Sequence, residues 1–285
     1  MAYDGTDLHW DDVQGKASEI EPELSEILDR FSYDAAGVFN SEILLFLSFI
    51  ELLNIDRVIE SGRSKGHSTA VLTEFCSRRD IHVISIERDR NTKKEQIARD
   101  KVESYQNVDL RYGDARKQLP DLADEKTAIL IDGPKGDQAL VLATRLLDQT
   151  TVPVVAVHDL HWGKFHRDIA ETVFSKHMFS DKRDYVDEFS HLDTSCWRIY
   201  DDWEPYTRDG EEIDSYGPTL GLFLNTESPL NEPSATNYLD YADRGFSDCA
   251  WFIGDRVYSL TQSTNPVVRL LSQPLWKVGK WGFNR

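Results

Sequence analysis

The sequence predicts a doubly wound α/β fold with a mostly parallel, seven-stranded sheet. Short and continuous apolar runs alternate with amphipathic helical segments between about residues 40 and 226, a pattern typical of strands covered on both faces. Several of the runs end in glycine or an acidic residue, as strands do at the ligand-binding edge of such a sheet. Hydrophobic residues make up 40% of the 285, which is enough to build a substantial core.

The elements follow in a regular order. Apolar residues recur at helical spacing from Ile20 to Phe31, which predicts a helical lead-in within residues 1–39. Ser41 is the predicted N-cap of a buried helix that reaches Leu53. Strands are then predicted at 57–60, 82–86, 108–112, 128–131 and 152–157. Helices are predicted at 66–78, 87–104, 137–149 and 165–178. Two last strands, Tyr185–Phe189 and Leu220–Leu224, are predicted to close the sheet with an antiparallel edge.

Composition changes beyond the sheet, so the predicted divisions are 1–39, 40–226 and 227–285. After Asp255 there is no acidic residue, and five basic residues are interleaved with apolar and aromatic ones. Such a tail fits either an anionic membrane surface or the acidic body of a second copy of the chain. We favour a homo-oligomer, because the acidic body would be repelled by the membrane surface.

Charge limits the possible functions. The formal net charge of −18 argues against a nucleic-acid partner, which normally meets a basic face. The 31 Asp and 19 Glu residues exceed 19 Arg and 13 Lys residues, a balance that suits either a salt-rich cytoplasm or an ordinary acidic protein. The cysteines Cys76, Cys196 and Cys249 form no C-x-x-C pair, and the acidic start of the chain does not resemble a secretory signal. We therefore expect a cytoplasmic location.

A glycine-containing turn follows the first predicted strand, with the sequence Glu60-Ser-Gly-Arg-Ser-Lys-Gly-His-Ser-Thr. Gly62 and Gly66 allow a tight turn and a close approach of the backbone to a ligand, and the next helix offers free N–H groups. The spacing differs from G-x-G-x-x-G and from a phosphate-binding loop. Glu87 ends the next strand, where a carboxylate can accept both hydroxyl hydrogens of a ribose. Asp114 ends the third strand and is suited to an adenine amino group.

Together with Ile131-Asp132-Gly133, these motifs resemble class I S-adenosylmethionine-dependent methyltransferases. The E-x-G-x-x-x-G-x-S form is most similar to the small-molecule O-methyltransferase branch that includes catechol and caffeoyl-CoA methyltransferases. The resemblance implies a Rossmann-like methyltransferase domain that binds S-adenosylmethionine through Glu60, Gly62, Gly66, Ser68, Glu87, Asp114, Ala115 and Asp132. In this assignment Glu60, Gly62 and Ser68 hold the methionine end. Glu87 then binds the ribose, and Asp114 and Ala115 bind the adenine.

The resemblance also implies a catalytic set. Asp132 and Lys135 keep the D-x-x-K spacing of that branch, in which the Asp binds a divalent metal and the Lys is the base. Asp159 matches a second metal ligand, but Leu160 stands where the branch has Asn. The expected ion is Mg²⁺ on Asp132 and Asp159, or a softer metal if His158 joins the set. Lys135, His158 and His161 are the candidate bases, of which the histidines titrate near neutrality.

The predicted reaction is methyl transfer to a hydroxyl group of a small molecule or of a sugar. The sugar alternative depends on aromatic residues beyond the fifth strand, suited to stacking: Trp197, Trp203, Tyr206 and Tyr216. Two other functions remain open. A nicotinamide-dependent oxidoreductase uses a similar sheet, although the third glycine of its fingerprint is missing. A non-catalytic donor-binding protein would explain Leu160.

Overall fold

The structure is a computed structural model of the chain. It describes residues 8–34, 37–88, 90, 92–162, 164–197, 206–208, 211–213, 219–226, 228–231 and 234–243. The helices are α1 Trp10–Leu28, α2 Asn40–Leu52, α3 His67–Ser77, α4 Thr92–Val102, α5 Ala115–Leu122, α6 Asp137–Gln149, α7 Phe165–Val173, α8 Arg183–Phe189, α9 Thr194–Trp197 and α10 Ser234–Asp243. The strands are β1 Arg57–Ser61, β2 His82–Glu87, β3 Val108–Tyr112, β4 Thr127–Ile131, β5 Val154–Val157, β6 His177–Phe179, β7 Tyr206–Arg208, β8 Glu211–Ile213 and β9 Gly221–Leu224.

Seven strands form one sheet in the order β3-β2-β1-β4-β5-β9-β6. The first five are parallel, and β9 runs antiparallel to both β5 and β6. The predicted fold class is therefore confirmed. Strand order reverses between β1 and β4. Open α/β sheets bind ligands beside such a reversal, at the carboxyl ends of the strands.

Apolar layers cover both faces of the sheet. On one face α1, α2, α3 and α8 bury their apolar side chains against the strands. On the other face α5, α6, α7 and α10 do the same. Strands β4 and β5 are buried along their whole length, as expected for strands covered on both sides. The carboxyl ends of the parallel strands are thereby held in fixed positions.

Helix α1 lies within the predicted lead-in. Its buried residues recur at helical spacing and face the core: Val13, Ala17, Ile20, Leu24 and Ile27. Arg79, which lies just after α3, joins this helix to α2, since its guanidinium binds Glu23 at 2.6 Å and also contacts Glu51. The boundaries at residues 39 and 226 stay predictions.

Two local predictions are wrong. The segment Tyr185–Phe189 belongs to helix α8, and the edge strand is β6, at the end of the segment predicted as helix 165–178. Tyr185, Val186 and Phe189 are buried, and Asp187 and Glu188 between them are exposed, which is a helical rather than an alternating pattern. In addition, α2 begins at Asn40 rather than after Ser41, because the Glu42 carboxylate accepts the N–H of Phe39 at 2.9 Å.

Helix α10 packs on α6 and α7 at the start of the predicted extension. The Tyr238 hydroxyl donates to the Asp137 carboxylate at 2.9 Å and so fixes α10 to the first turn of α6. Residues 244–285, with Cys249 and the basic tail, lie outside the described residues, as do Trp203, Tyr216 and the side chains of Trp197 and Tyr206. None of the helices in the described ranges has the length and apolar character that a membrane crossing requires.

Candidate active site

A cavity of about 330 Å³ opens at the carboxyl ends of β1, β2, β3 and β4. It lies at the reversal of strand order, and its volume is at the lower end of the range for small-molecule sites. Its walls bring together much of the predicted donor site. The lining residues are Ser61, Gly62, Ile86, Glu87, Arg88, Gly113, Asp114, Ala115, Arg116, Gly133, Pro134, Lys135 and Gln138.

The turn after β1 passes unusually close to the end of β4. Gly62 has a φ of +92° and donates its N–H to Ile86 at 2.9 Å. A Cβ atom at this position would lie 2.6 Å from the backbone nitrogen of Gly133. Only glycine therefore fits between the two strand ends, and the backbone itself forms this wall of the cavity.

Glu87 faces the cavity from the end of β2. Its carboxylate accepts the N–H of Ser64 at 3.0 Å and the N–H of Arg88 at 2.8 Å. These bonds hold the carboxylate against the glycine turn and orient it in the cavity wall. A carboxylate held in this way can accept the paired hydroxyl groups of a ribose.

Asp114 also lies in the wall, but its carboxylate is occupied by a neighbour. It accepts the backbone N–H of Arg116 at 3.1 Å as the N-cap of α5. The Arg116 guanidinium also binds it at 2.7 Å and 2.9 Å. Its hydrogen bond to that guanidinium lowers the pKa of Asp114. The predicted contact with an adenine amino group would therefore share the carboxylate with Arg116.

Glu60 is fully buried and does not line the cavity. Its carboxylate accepts hydroxyl groups from Ser68 and Thr69 and from Ser85 at 2.7 Å. Burial raises the pKa of Glu60, although these hydrogen bonds act to lower it. Glu60 thus ties β1 to α3 and β2. A smaller recess lined by Gly62, Ser68 and Asp132 adjoins the turn, so these predicted residues share one surface.

The predicted catalytic residues form a cluster beside the cavity, at the ends of β4 and β5. The Lys135 ammonium contacts Asp132 and binds Asp159 at 2.7 Å. His158 Nδ1 lies 2.6 Å from the same Asp132 oxygen and 3.4 Å from Asp159. Asp159 holds this position with a φ of +67°, a backbone conformation that is unusual for a residue other than glycine.

Glu42 joins this cluster from helix α2. It is fully buried, and one carboxylate oxygen lies 3.1 Å from His158 Nε2. The same carboxylate accepts the N–H groups of Phe39 and Thr219. Because carboxylate oxygens face both ring nitrogens of His158, both nitrogens must donate, and only the imidazolium does so.

The charges of the cluster determine its protonation states. Burial opposes the charged form of His158, but Glu42 and Asp132 outweigh it and raise its pKa to about 10. Burial likewise opposes the charged form of Lys135, yet Asp132 and Asp159 raise its pKa above the ordinary value. A general base must be unprotonated near neutral pH. The predicted roles of Lys135 and His158 as bases therefore do not fit their surroundings.

His161 differs from these two groups. It lies half-buried beyond β5, and burial is the largest influence on its pKa, which is lowered in spite of the nearby Asp159 and Glu42 carboxylates. The imidazole is therefore neutral at pH 7 and able to accept a proton. Among the three predicted bases, His161 is the one whose protonation state suits the role.

The sequence predicts a divalent metal ion at Asp132 and Asp159. Donor atoms of Asp132, His158 and Asp159 do lie within 4.8 Å of one another. However, the Lys135 ammonium bridges the two carboxylates, and His158 Nδ1 already lies 2.6 Å from an Asp132 oxygen. Leu160 occupies the position of a third ligand but is 1% exposed and packs in the core. The residues present do not fit a resident divalent ion.

Sequence reasoning missed Glu42 and Arg116. Glu42 is the only ionisable residue from Asn40 to Ile50 in a helix that is otherwise nearly all apolar, and a charge in a helix that must be buried requires a buried partner. That signal was available in the sequence. The partner of Glu42 was not, because His158 is 116 positions away and only the fold brings them together.

The family model described as protein-L-isoaspartate(D-aspartate) O-methyltransferase matches residues 32–131, the part of the chain that contains α2 and β1 to β4. This match to a methyltransferase family covers 100 of the 285 residues. A search of curated proteins found no match.

Similar solved structures include several methyltransferases. TomG of Streptomyces achromogenes, solved with S-adenosylmethionine, is 18% identical, with a TM-score of 0.41 over 77% of this chain and 92% of that one. An O-methyltransferase of Bacillus cereus is 16% identical, with a TM-score of 0.40 over 73% and 89%. PaMTH1 of Podospora anserina is 16% identical, with a TM-score of 0.35 over 50% of this chain. The chain spans 61% of the length of PaMTH1.

Proposed function

We propose that this protein is a methyltransferase that transfers a methyl group from S-adenosylmethionine to a hydroxyl group of a small molecule. The observation that carries the proposal is the juxtaposition of the cavity with the charged cluster, since Lys135 belongs to both. Glu87 and Asp114 suit the nucleoside of the donor at one end. The cluster at the other end suits a polar acceptor that must lose a proton.

The reaction is an in-line displacement. The acceptor oxygen forms a bond to the methyl carbon while the carbon–sulfur bond breaks, and sulfur keeps the electron pair. The products are an ether and S-adenosylhomocysteine, and the hydroxyl proton passes to a base. Positioning of the two reactants supplies much of the rate, and the base supplies a further factor. We assign the base to His161 and the holding of the acceptor oxygen to Lys135.

Donor binding is expected to weaken when Glu87 is replaced. Glu87→Ala removes a charge-assisted hydrogen bond to the ribose, which costs about 1.5–3 kcal/mol, or roughly 10–150-fold in Kd. Calorimetric titration with S-adenosylmethionine measures the change. Glu125→Ala is the control, because Glu125 is exposed before β4, at the opposite edge of the sheet. An unchanged Kd in folded Glu87→Ala protein would contradict the placement of the donor.

Turnover is expected to depend on His161. His161→Ala should lower kcat by about 10²–10⁴-fold, the usual contribution of a general base, and should leave the donor Kd unchanged. Because the pKa of His161 is lowered, the wild-type rate should hold as the pH falls below 6.5, the ordinary histidine pKa. The control is His82→Ala, at the exposed start of β2. Equal rates in both variants would remove His161 from the mechanism.

The same site suits more than one class of acceptor. A sugar hydroxyl and a small phenol both present an oxygen that the Lys135 ammonium can bind, and the proposal covers both. An oxidoreductase would instead bind a nicotinamide cofactor, so titration with NAD is the direct comparison. Saturable binding of NAD without binding of S-adenosylmethionine would favour that function.

A further inference from the structure

The carboxylates of the cluster already have cationic partners from the chain itself. Lys135 bridges Asp132 and Asp159, and His158 bridges Asp132 and Glu42. Three carboxylates thus share two cations in a region that is mostly buried. Such groups are stable inside a protein only when they are paired and hydrogen-bonded.

A divalent ion would have to replace those partners. Mg²⁺ requires near-octahedral oxygen ligands at about 2.0–2.1 Å, so it competes directly with an ammonium 2.7 Å from Asp159. Asp132, the other carboxylate that the ion would need, already lies 2.6 Å from His158 Nδ1. Leu160 adds no ligand because its side chain is buried among apolar residues.

The ammonium is placed to act on a bound acceptor. The Lys135 side chain lines the cavity beside Gly133 and Pro134, and 49% of it is exposed. It can therefore reach a ligand in the cavity while its charge stays fixed by the two carboxylates. An ammonium held in this way offers a hydrogen bond to an oxygen that gains negative charge as its proton leaves.

We propose that the Lys135 ammonium takes the place of a divalent cation in this methyltransferase and binds the acceptor oxygen directly. Asp132 and Asp159 then position Lys135 rather than a metal ion. The catalytic part of this inference rests on the proposed transfer to a hydroxyl group. The exclusion of metal does not, and it can be measured without any turnover.

The test is titration of the whole chain with MnCl₂ and MgCl₂ by calorimetry. We expect no saturable site in the wild type at ion concentrations up to the millimolar range. Lys135→Met keeps an unbranched side chain one atom shorter but removes its charge, and we expect it to gain an Mn²⁺ site at least tenfold tighter than any in the wild type. Adding Asp159→Asn to Lys135→Met should abolish the gained site, which separates it from weak binding to surface acids.

Lys135→Arg is the matched control, since it keeps the cation and should gain no metal site. Circular dichroism and S-adenosylmethionine titration show whether each variant is folded. A saturable wild-type site that Asp159→Asn removes would overturn the proposal. So would a folded Lys135→Met protein that gains no site, because Lys135 would then not be what excludes the ion. Neither result would affect donor binding, so failure here is distinct from failure of the methyltransferase assignment.

Discussion

Glu42→Gln is expected to lower the free energy of unfolding by about 3–5 kcal/mol, the usual cost of breaking a buried ion pair. The amide cannot accept from His158, Phe39 and Thr219 together, so at least one buried donor loses its partner. Urea denaturation at pH 7 measures the loss. Glu51→Gln on the same helix is the control, since Glu51 and its partner Arg79 are partly exposed and such a pair contributes about 1 kcal/mol or less.

The same variant should change how stability depends on pH. In the folded protein the pKa of His158 is about 10, against an ordinary value of 6.5. The stability that comes from this raised pKa is fully present below pH 6.5 and is lost as the pH rises through 10. Wild-type protein should therefore lose stability between those values, and Glu42→Gln should lose less of it. Parallel slopes for the two proteins would contradict the pairing of Glu42 with His158.

Gly62→Ala is expected to have the second large effect. Alanine at a positive φ costs about 1–2 kcal/mol, and the added Cβ would lie 2.6 Å from the backbone of Gly133, where no flexible side chain can move away. We expect a total loss of about 2–4 kcal/mol by urea denaturation, together with weaker donor binding, because the cavity wall must shift.

Gly15→Ala is the matched control for Gly62→Ala. Gly15 lies within α1, and nothing lies within 4 Å of an added Cβ at this position. Alanine there should raise stability by about 0.5–1 kcal/mol. If Gly62→Ala were as stable as the wild type, the close approach of the β1 turn to β4 would be wrong.

Much of the fold could be predicted because local patterns carry it. Strands such as β4 and β5 are apolar throughout, and this pattern has one interpretation when helices alternate with them. The segment Tyr185–Phe189 is different, since five residues with three large apolar side chains fit a strand and a helix equally well. Its burial against α2 decides between them, and that contact involves residues far away in the chain, as when the Tyr185 hydroxyl donates to Ser41 at 2.9 Å.

The candidate site shows the same division. Motif spacing predicts that Gly62, Glu87 and Asp114 lie at one edge of the sheet, because parallel strands end there together. The protonation states of Lys135 and His158 could not be predicted from spacing. They depend on Glu42, which lies on helix α2 rather than at the end of a strand. They also depend on the distances between the carboxylates and the two cationic groups.

The most direct test of the central claim is methyl transfer itself. The wild-type chain is incubated with methyl-labelled S-adenosylmethionine and a panel of phenols and sugars, and products are analysed by mass spectrometry. We expect label on an oxygen of one acceptor class, with one S-adenosylhomocysteine formed for each methyl group transferred, and a much lower yield with His161→Ala. Label on nitrogen or sulfur, or the absence of transfer to any hydroxyl by protein that binds the donor, would contradict the proposed function.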